Sequence, residues 1–386
     1  MTAAAPAPGP RGAPMPARPI ADLTIPDPGS TTAREVLSLA LRRLLRDAIE
    51  LPRTAPASAR AEAAALHALL SNALKTSPGA LAAALRRPTI GALVRCLRPA
   101  CGLPETARDA LFVELCAGLR HDLAAAGAPL PPAVEGRIPR RVLSLLDRTA
   151  RDTATGEVTH PYAPIARDVV LALADNNPLA MEEAHPDKQG NAIDLGGRSI
   201  EEWTSTLREA LALIEAHLPD LAGEIDLYVH QVVPVGFDEH RHLSASYQEA
   251  IGTIYMTLHP SLMTMTEALI HEFSHNKINA LFELDDVLEN AWSPLYTSPV
   301  RPDPRPLHGV LLAVHAFLPV ARLYEKMIEA GHPLSRSEGF SRRFAAVRRT
   351  NREGAEVVLK NGRPTEMGRA VLDEIARWDS HYANSG

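Results

Sequence analysis

Apolar residues recur at helical spacing through the first third of the chain. Val36, Leu37, Leu41, Leu44 and Leu45, then Leu66, Leu69, Leu70 and Leu74, then Leu111, Leu115 and Leu119 keep steps of three, four and seven. This predicts four or five packed helices between Thr32 and about Gly127. Pro52, Pro56, Pro78, Pro88, Pro99 and Pro104 fall between these segments or at their edges, where proline starts or ends a helix. A further helix is expected near Arg140 to Arg151. The polar stretch from Asp152 to Arg198 then reads as loops. Within it, His185 and Asp187 fit a capped surface turn better than a site.

Ser199, with Glu202 at capping-box spacing, opens a helix carrying Leu207, Leu211, Ile214 and Leu218 that ends near Pro219. Ile225 to Val235 and Ala250 to Leu258 are strand-like. A helix from Pro260 to about Leu284 should bury Ala268, Leu269, Phe273, Ile278 and Leu281. Five prolines make Ala291 to Pro306 a stiff loop, followed by helices to about Glu329, near Ser335 to Thr350 and near Thr365 to Tyr382. The expected fold is mainly α with a small β-sheet (α+β). Its plan is a disordered Ala/Pro-rich tail (1–30), a helical N-terminal region (31–150) and an H-E-x-x-H metal-site domain (151–386).

The 386 residues are 46% hydrophobic and 22% charged, as in an ordinary globular protein. A net charge of −6 offers no basic field for nucleic acid. Cys96, Cys101 and Cys116 read as core thiols. The N-terminus lacks a secretory apolar region, and no uninterrupted apolar run nears the roughly 20 residues of a membrane span. The expectation is a soluble, cytoplasmic protein with no membrane partner.

The chemistry concentrates in His271-Glu272-x-x-His275. Two histidines four apart project from one helix face toward one cation, with Glu272 beside them for proton transfer or for orienting a ligand. Two imidazoles alone bind weakly, so a third protein ligand is expected. The metzincin continuation is missing, and Glu283 and Glu289 follow His275 too closely on or at the end of the same helix. His308 and His315, seven apart, point within about 20° of each other on an ideal helix. His315 is preferred because an unpartnered imidazole among Leu311, Leu312 and Phe317 would be costly, with His308 the other candidate. Glu267, one turn before His271, is expected to orient an imidazole. Arg301 and Arg305 in R-P-D-P-R-P suit bidentate capture of a carboxylate, or else pair with Asp303 in a surface loop.

The runs E-A-L-I-H-E-F-S-H-N-K-I-N-A-L and S-P-L-Y-T-S-P-V-R-P-D-P-R-P-L-H-G-V-L-L-A-V-H-A-F, with the upstream D-N-N-P-L, resemble the H-E-x-x-H motif domain often encoded beside ribosomally made peptide natural products. That family is described as α-ketoglutarate-dependent peptide β-hydroxylases, and the resemblance spans roughly Asp175 to Tyr324. It implies Fe(II) rather than Zn(II) on His271 and His275, an arginine on the distal carboxylate of α-ketoglutarate (2-oxoglutarate), and O2 as co-substrate. It does not fix the third ligand, and it leaves Glu272 to orient a ligand or water.

The leading expectation is therefore an Fe(II)/2-oxoglutarate-dependent oxygenase that hydroxylates a C–H bond, at the β-carbon, of a peptide or carrier-protein-bound residue. A zinc metallopeptidase with Glu272 as general base is the alternative. A non-catalytic metal-binding or interaction protein comes third. The helical N-terminal region lies outside the resemblance and leaves a homodimer, leader-peptide recognition or carrier docking open.

Overall fold

The structure, a computed structural model, describes residues 20–132, 137–181, 184–185, 188–299 and 303–384. Eleven α-helices and several small sheets among the described residues make the fold mainly α with a small β component, as the sequence predicts. The chain forms two compact units interleaved in sequence. One comprises the described residues of 41–205 and 229–260, the other those of 20–40, 206–228 and 261–384.

α1 (Thr32–Glu50) contains the first boundary between the units. In the first unit α2 (Arg60–Thr76), α3 (Pro78–Leu85), α4 (Pro88–Cys96) and α5 (Glu105–Ala125) follow, with Pro78 and Pro88 in the opening turns, where no N–H is needed. Leu66, Leu70, Ile90, Phe112 and Leu119 form their core.

The helix expected near Arg140 to Arg151 is instead an antiparallel hairpin, β1 (Arg141–Ser144) and β2 (Thr149–Asp152), extended by β3 (Val158–Thr159). Ser144 explains the difference. Its hydroxyl donates to Asp122 at 2.6 Å and accepts the Asp147 N–H at 3.0 Å, and Arg148 closes the turn with φ 55°. The stretch expected to be all loop also carries β4 (Tyr162–Ala166), β5 (Val169–Ala172), and the short pair β6 (Ala184–His185) and β7 (Lys188–Gln189). Asp187 lies outside the described residues.

α6 (Ile200–His217) starts as expected, and α7 (Pro219–Tyr228) follows at once. The expected strand from Ile225 is therefore late: Ile225 and Tyr228 are buried on one face of α7, and β8 is Gln231–Phe237. With β9 (Ser244–Ala245) and β10 (Thr253–Leu258) it completes a mixed sheet of order β4-β5-β8-β10-β9, in which β5, β8 and β10 are parallel.

The second unit holds the motif. Its helices are α8 (Leu262–Phe282), α9 (Leu307–Glu329), α10 (Glu338–Asn361) and α11 (Glu366–Asn384), close to the predicted spans except that α10 runs a further three turns. Between α8 and α9 the proline-rich loop is pinned by two residue pairs, β11 (Leu295–Tyr296) against β12 (Arg305–Pro306). α9 is the one described helix long and apolar enough to cross a bilayer, yet 72% of that window is buried inside the protein, the mark of a core helix.

The 1–30 tail expectation fails in its last third. Leu23 and Thr24 are fully buried, and the Glu374 carboxylate on α11 accepts the N–H groups of Thr24 and Ile25 at 2.8 and 2.9 Å. Residues 1–19 lie outside the described part.

Candidate metal centre

α8 begins at Ser261, whose hydroxyl accepts the Thr264 N–H at 3.3 Å, and it is buried on almost every side. Residues four apart share a face, so His271 and His275 emerge together. Their Nε2 atoms are 2.9 Å apart and their rings meet edge to face at 4.4 Å. Phe317 of α9 packs against the His271 ring at 4.7 Å. Glu272 is buried at 3% exposure, and one ligand atom from each of His271, Glu272 and His275 falls within 4.8 Å of the others.

That spacing tests what the pair can hold. Bonds of about 2.0–2.1 Å meeting at 90° in an octahedral ion put neighbouring nitrogens about 2.9 Å apart, whereas tetrahedral angles put them about 3.3 Å apart. The imidazole nitrogens stand close enough to share one cation in either geometry, and equally close enough to share a proton. Burial drives the His275 pKa down to about 4, so its ring is neutral near pH 7, the form that ligates a metal.

His315 and His308 stand outside the three-residue cluster. His315 is fully buried. Its Nδ1 lies 3.1 Å from Thr24 Oγ1, and its Nε2 is buried with no hydrogen-bond partner. Burial holds its pKa well below the usual value, with Lys277 and His275 pushing the same way and the Ser274 carbonyl opposing. His308, in the first turn of α9, is sandwiched between Trp292 at 4.5 Å and Phe282 at 4.4 Å, and burial, then His275, lowers its pKa to about 4.

The chain matches no protein-family model and no curated protein sequence.

Three expected roles are placed by the same geometry. Glu267 does not face an imidazole: its carboxylate takes the Tyr324 hydroxyl at 2.5 Å and the Arg343 guanidinium at 2.5–3.2 Å, so it ties α8 to α9 and α10. Arg305 Nε lies 3.0 Å from Asp303 Oδ2, the loop pairing weighed from sequence. Arg301 lies outside the described residues. Glu283 closes α8 as its C-cap, a position set by the helix end.

Sequence reasoning missed the buried polar chain beside the motif. Lys277, with no exposed surface, donates to Glu224 at 2.6 Å and to the Thr24 carbonyl at 3.3 Å. Glu374 and Asp22 belong to the same neighbourhood, each within electrostatic reach of Lys277. The one available signal was a lysine two positions after the second histidine in an otherwise core-facing helix.

Proposed function

We propose that the chain is a cytoplasmic Fe(II)- and α-ketoglutarate-dependent hydroxylase acting on a C–H bond, at the β-carbon, of a peptide or carrier-bound amino-acid residue in natural-product biosynthesis. The observation that carries this reading is the convergence of His271, Glu272 and His275 ligand atoms within 4.8 Å of one another, which makes one metal centre; the choice of iron rests on the resemblance of the motif and loop sequences. When bound, Fe(II) with α-ketoglutarate supplies the activation of O2, one oxygen going to the substrate and the other to succinate as CO2 leaves.

The residues have these roles in the proposal. His271 and His275 hold the ion. We assign the third position to His315, whose Nδ1 is anchored by Thr24 and whose Nε2 is buried without a partner; because it stands outside the cluster, its ring has to move toward the ion on binding. Phe317, packed on His271, fixes that ring and keeps water from one side of it. Glu272 orients a ligand or water and does not act as a hydrolytic base. Arg305, steadied by Asp303, receives the distal carboxylate of the keto acid, a task the resemblance assigns equally to Arg301.

A zinc peptidase is the second reading, favoured by the buried Glu272 carboxylate standing within the histidine cluster, where a general base would be placed. The deciding experiment measures succinate formation from α-ketoglutarate by the iron-loaded protein. The hydroxylase forms succinate, and Arg305→Ala weakens keto-acid binding at least about tenfold while iron binding stays intact. A zinc-loaded protein that cleaves peptides and ignores the keto acid contradicts the proposal.

A further inference from the structure

The last three helices line a half-open cleft, of about 300 Å3, that shares no residue with the histidine cluster. This is the lower end of the size range for small-molecule sites. Leu318 of α9, Ala355 of α10 and Ile375 of α11, all buried, give it apolar walls.

Asn351 of α10 faces this space. It is only 4% exposed, and neither its Oδ1 nor its Nδ2 has a hydrogen-bond partner. Buried carboxamides are normally satisfied, and asparagine is a poor helix former, so neither packing nor propensity accounts for one in mid-helix. Its two free atoms, one acceptor and one donor, are complementary to the N–H and C=O of an amide.

The lining carries Arg348, Arg349 and Arg352 against one acid, Asp379, with Glu356 beside Arg352 as a second, which leaves one positive charge in excess. Arg348 is committed to the Tyr382 carbonyl at 2.5 Å, and Arg352 Nε lies 3.3 Å from Glu356. Arg349 is exposed and has no side-chain partner among the described residues. A guanidinium so placed takes a carboxylate through two parallel hydrogen bonds.

We infer that this cleft binds an N-acylated α-amino carboxylate, its amide on Asn351, its carboxylate on Arg349 and Arg352, and its apolar side chain against Leu318 and Ile375. Two sources carry that chemistry: a free N-acyl amino acid, and the C-terminal residue of a peptide.

Isothermal titration of the full chain with N-acetyl-L-leucine and with the peptide acetyl-Gly-Gly-Leu tests this. Binding of both points to a peptide C-terminus, and binding of N-acetyl-L-leucine alone points to the free molecule. Either way N-acetyl-L-leucinamide, which lacks the carboxylate, and octanoate, which lacks the amide, bind at least about tenfold more weakly. Asn351→Leu and Arg349→Glu each weaken N-acetyl-L-leucine binding to the same degree. Arg349 is exposed, so its variant keeps the test valid if Asn351→Leu fails to fold. Absence of binding by both probes at millimolar concentration, leaving Asn351 to water, overturns the inference. So does octanoate binding equally well to the wild type and to Asn351→Leu.

Discussion

Thr24 Oγ1 lies 3.1 Å from Nδ1 of His315, across 291 residues of sequence. The Thr24 hydroxyl also hydrogen-bonds the Glu374 carboxylate, to which it can only donate while that group is ionised. In the tautomer with the proton on Nδ1, that hydroxyl accepts from His315 and leaves the Nε2 lone pair for a metal; with the proton on Nε2 it does not. A metal-ligating histidine is usually held through its other ring nitrogen in this way.

That tether yields the first prediction. Thr24→Val keeps the volume but removes the hydroxyl, and should weaken Fe(II) or Co(II) binding by about 10–100-fold if His315 is a ligand. Isothermal titration checks this beside a thermal melt. A Thr24→Val protein that melts earlier yet binds metal as before would make His315 a core histidine only.

Lys277 and Glu224 form a buried pair at 2.6 Å. Lys277→Met strands the Glu224 charge and should cost about 3–5 kcal/mol in urea unfolding. The double variant Lys277→Met/Glu224→Gln should recover most of that loss. If both proteins unfold alike, the pair is not electrostatically coupled.

Burial raises the Glu374 carboxyl from 4.5 to about 7, against the pull of the Thr24 and Ile25 amides and of Lys277. The folded chain therefore holds this proton more tightly than the unfolded chain. The resulting stability is complete below about pH 4.5 and is lost as the pH rises through about 7, on the order of 3 kcal/mol. Chemical denaturation across this window should show the decline in the wild type and a flatter profile in Glu374→Gln. Equal slopes in the two proteins would place the titration elsewhere.

Glu272→Gln separates the two readings of the motif. In the hydroxylase it should leave metal content unchanged and succinate formation within about tenfold of wild type, because the carboxylate is not the hydrolytic base. Loss of a zinc-dependent peptide cleavage in this variant, with no succinate in the wild type, supports the peptidase.

The helix carrying His271 and His275 was legible because an i, i+4 spacing inside a long apolar segment has few other solutions, and α8 lies within about two residues of the predicted span. Local pattern failed where distant partners decide. The apolar residues Ile20, Leu23 and Ile25 are diluted by alanine and proline, and the backbone beside them is held by Glu374 some 350 residues later. Arg141 to Asp152 has enough leucine to pass for a helix, but the Ser144 hydrogen bonds and the left-handed Arg148 make it a hairpin. The neighbours of Glu267 were equally hidden, since Tyr324 and Arg343 lie 57 and 76 residues away.

The central claim is an iron site on His271 and His275 that accepts α-ketoglutarate. It is tested most directly by anaerobic titration of the metal-free protein with Fe(II) and then α-ketoglutarate, read by visible absorption. The account predicts a weak metal-to-ligand charge-transfer band that is absent in His271→Ala and reduced in Arg305→Ala. No band in the wild type, together with tight stoichiometric Zn(II) on the purified protein, would contradict it.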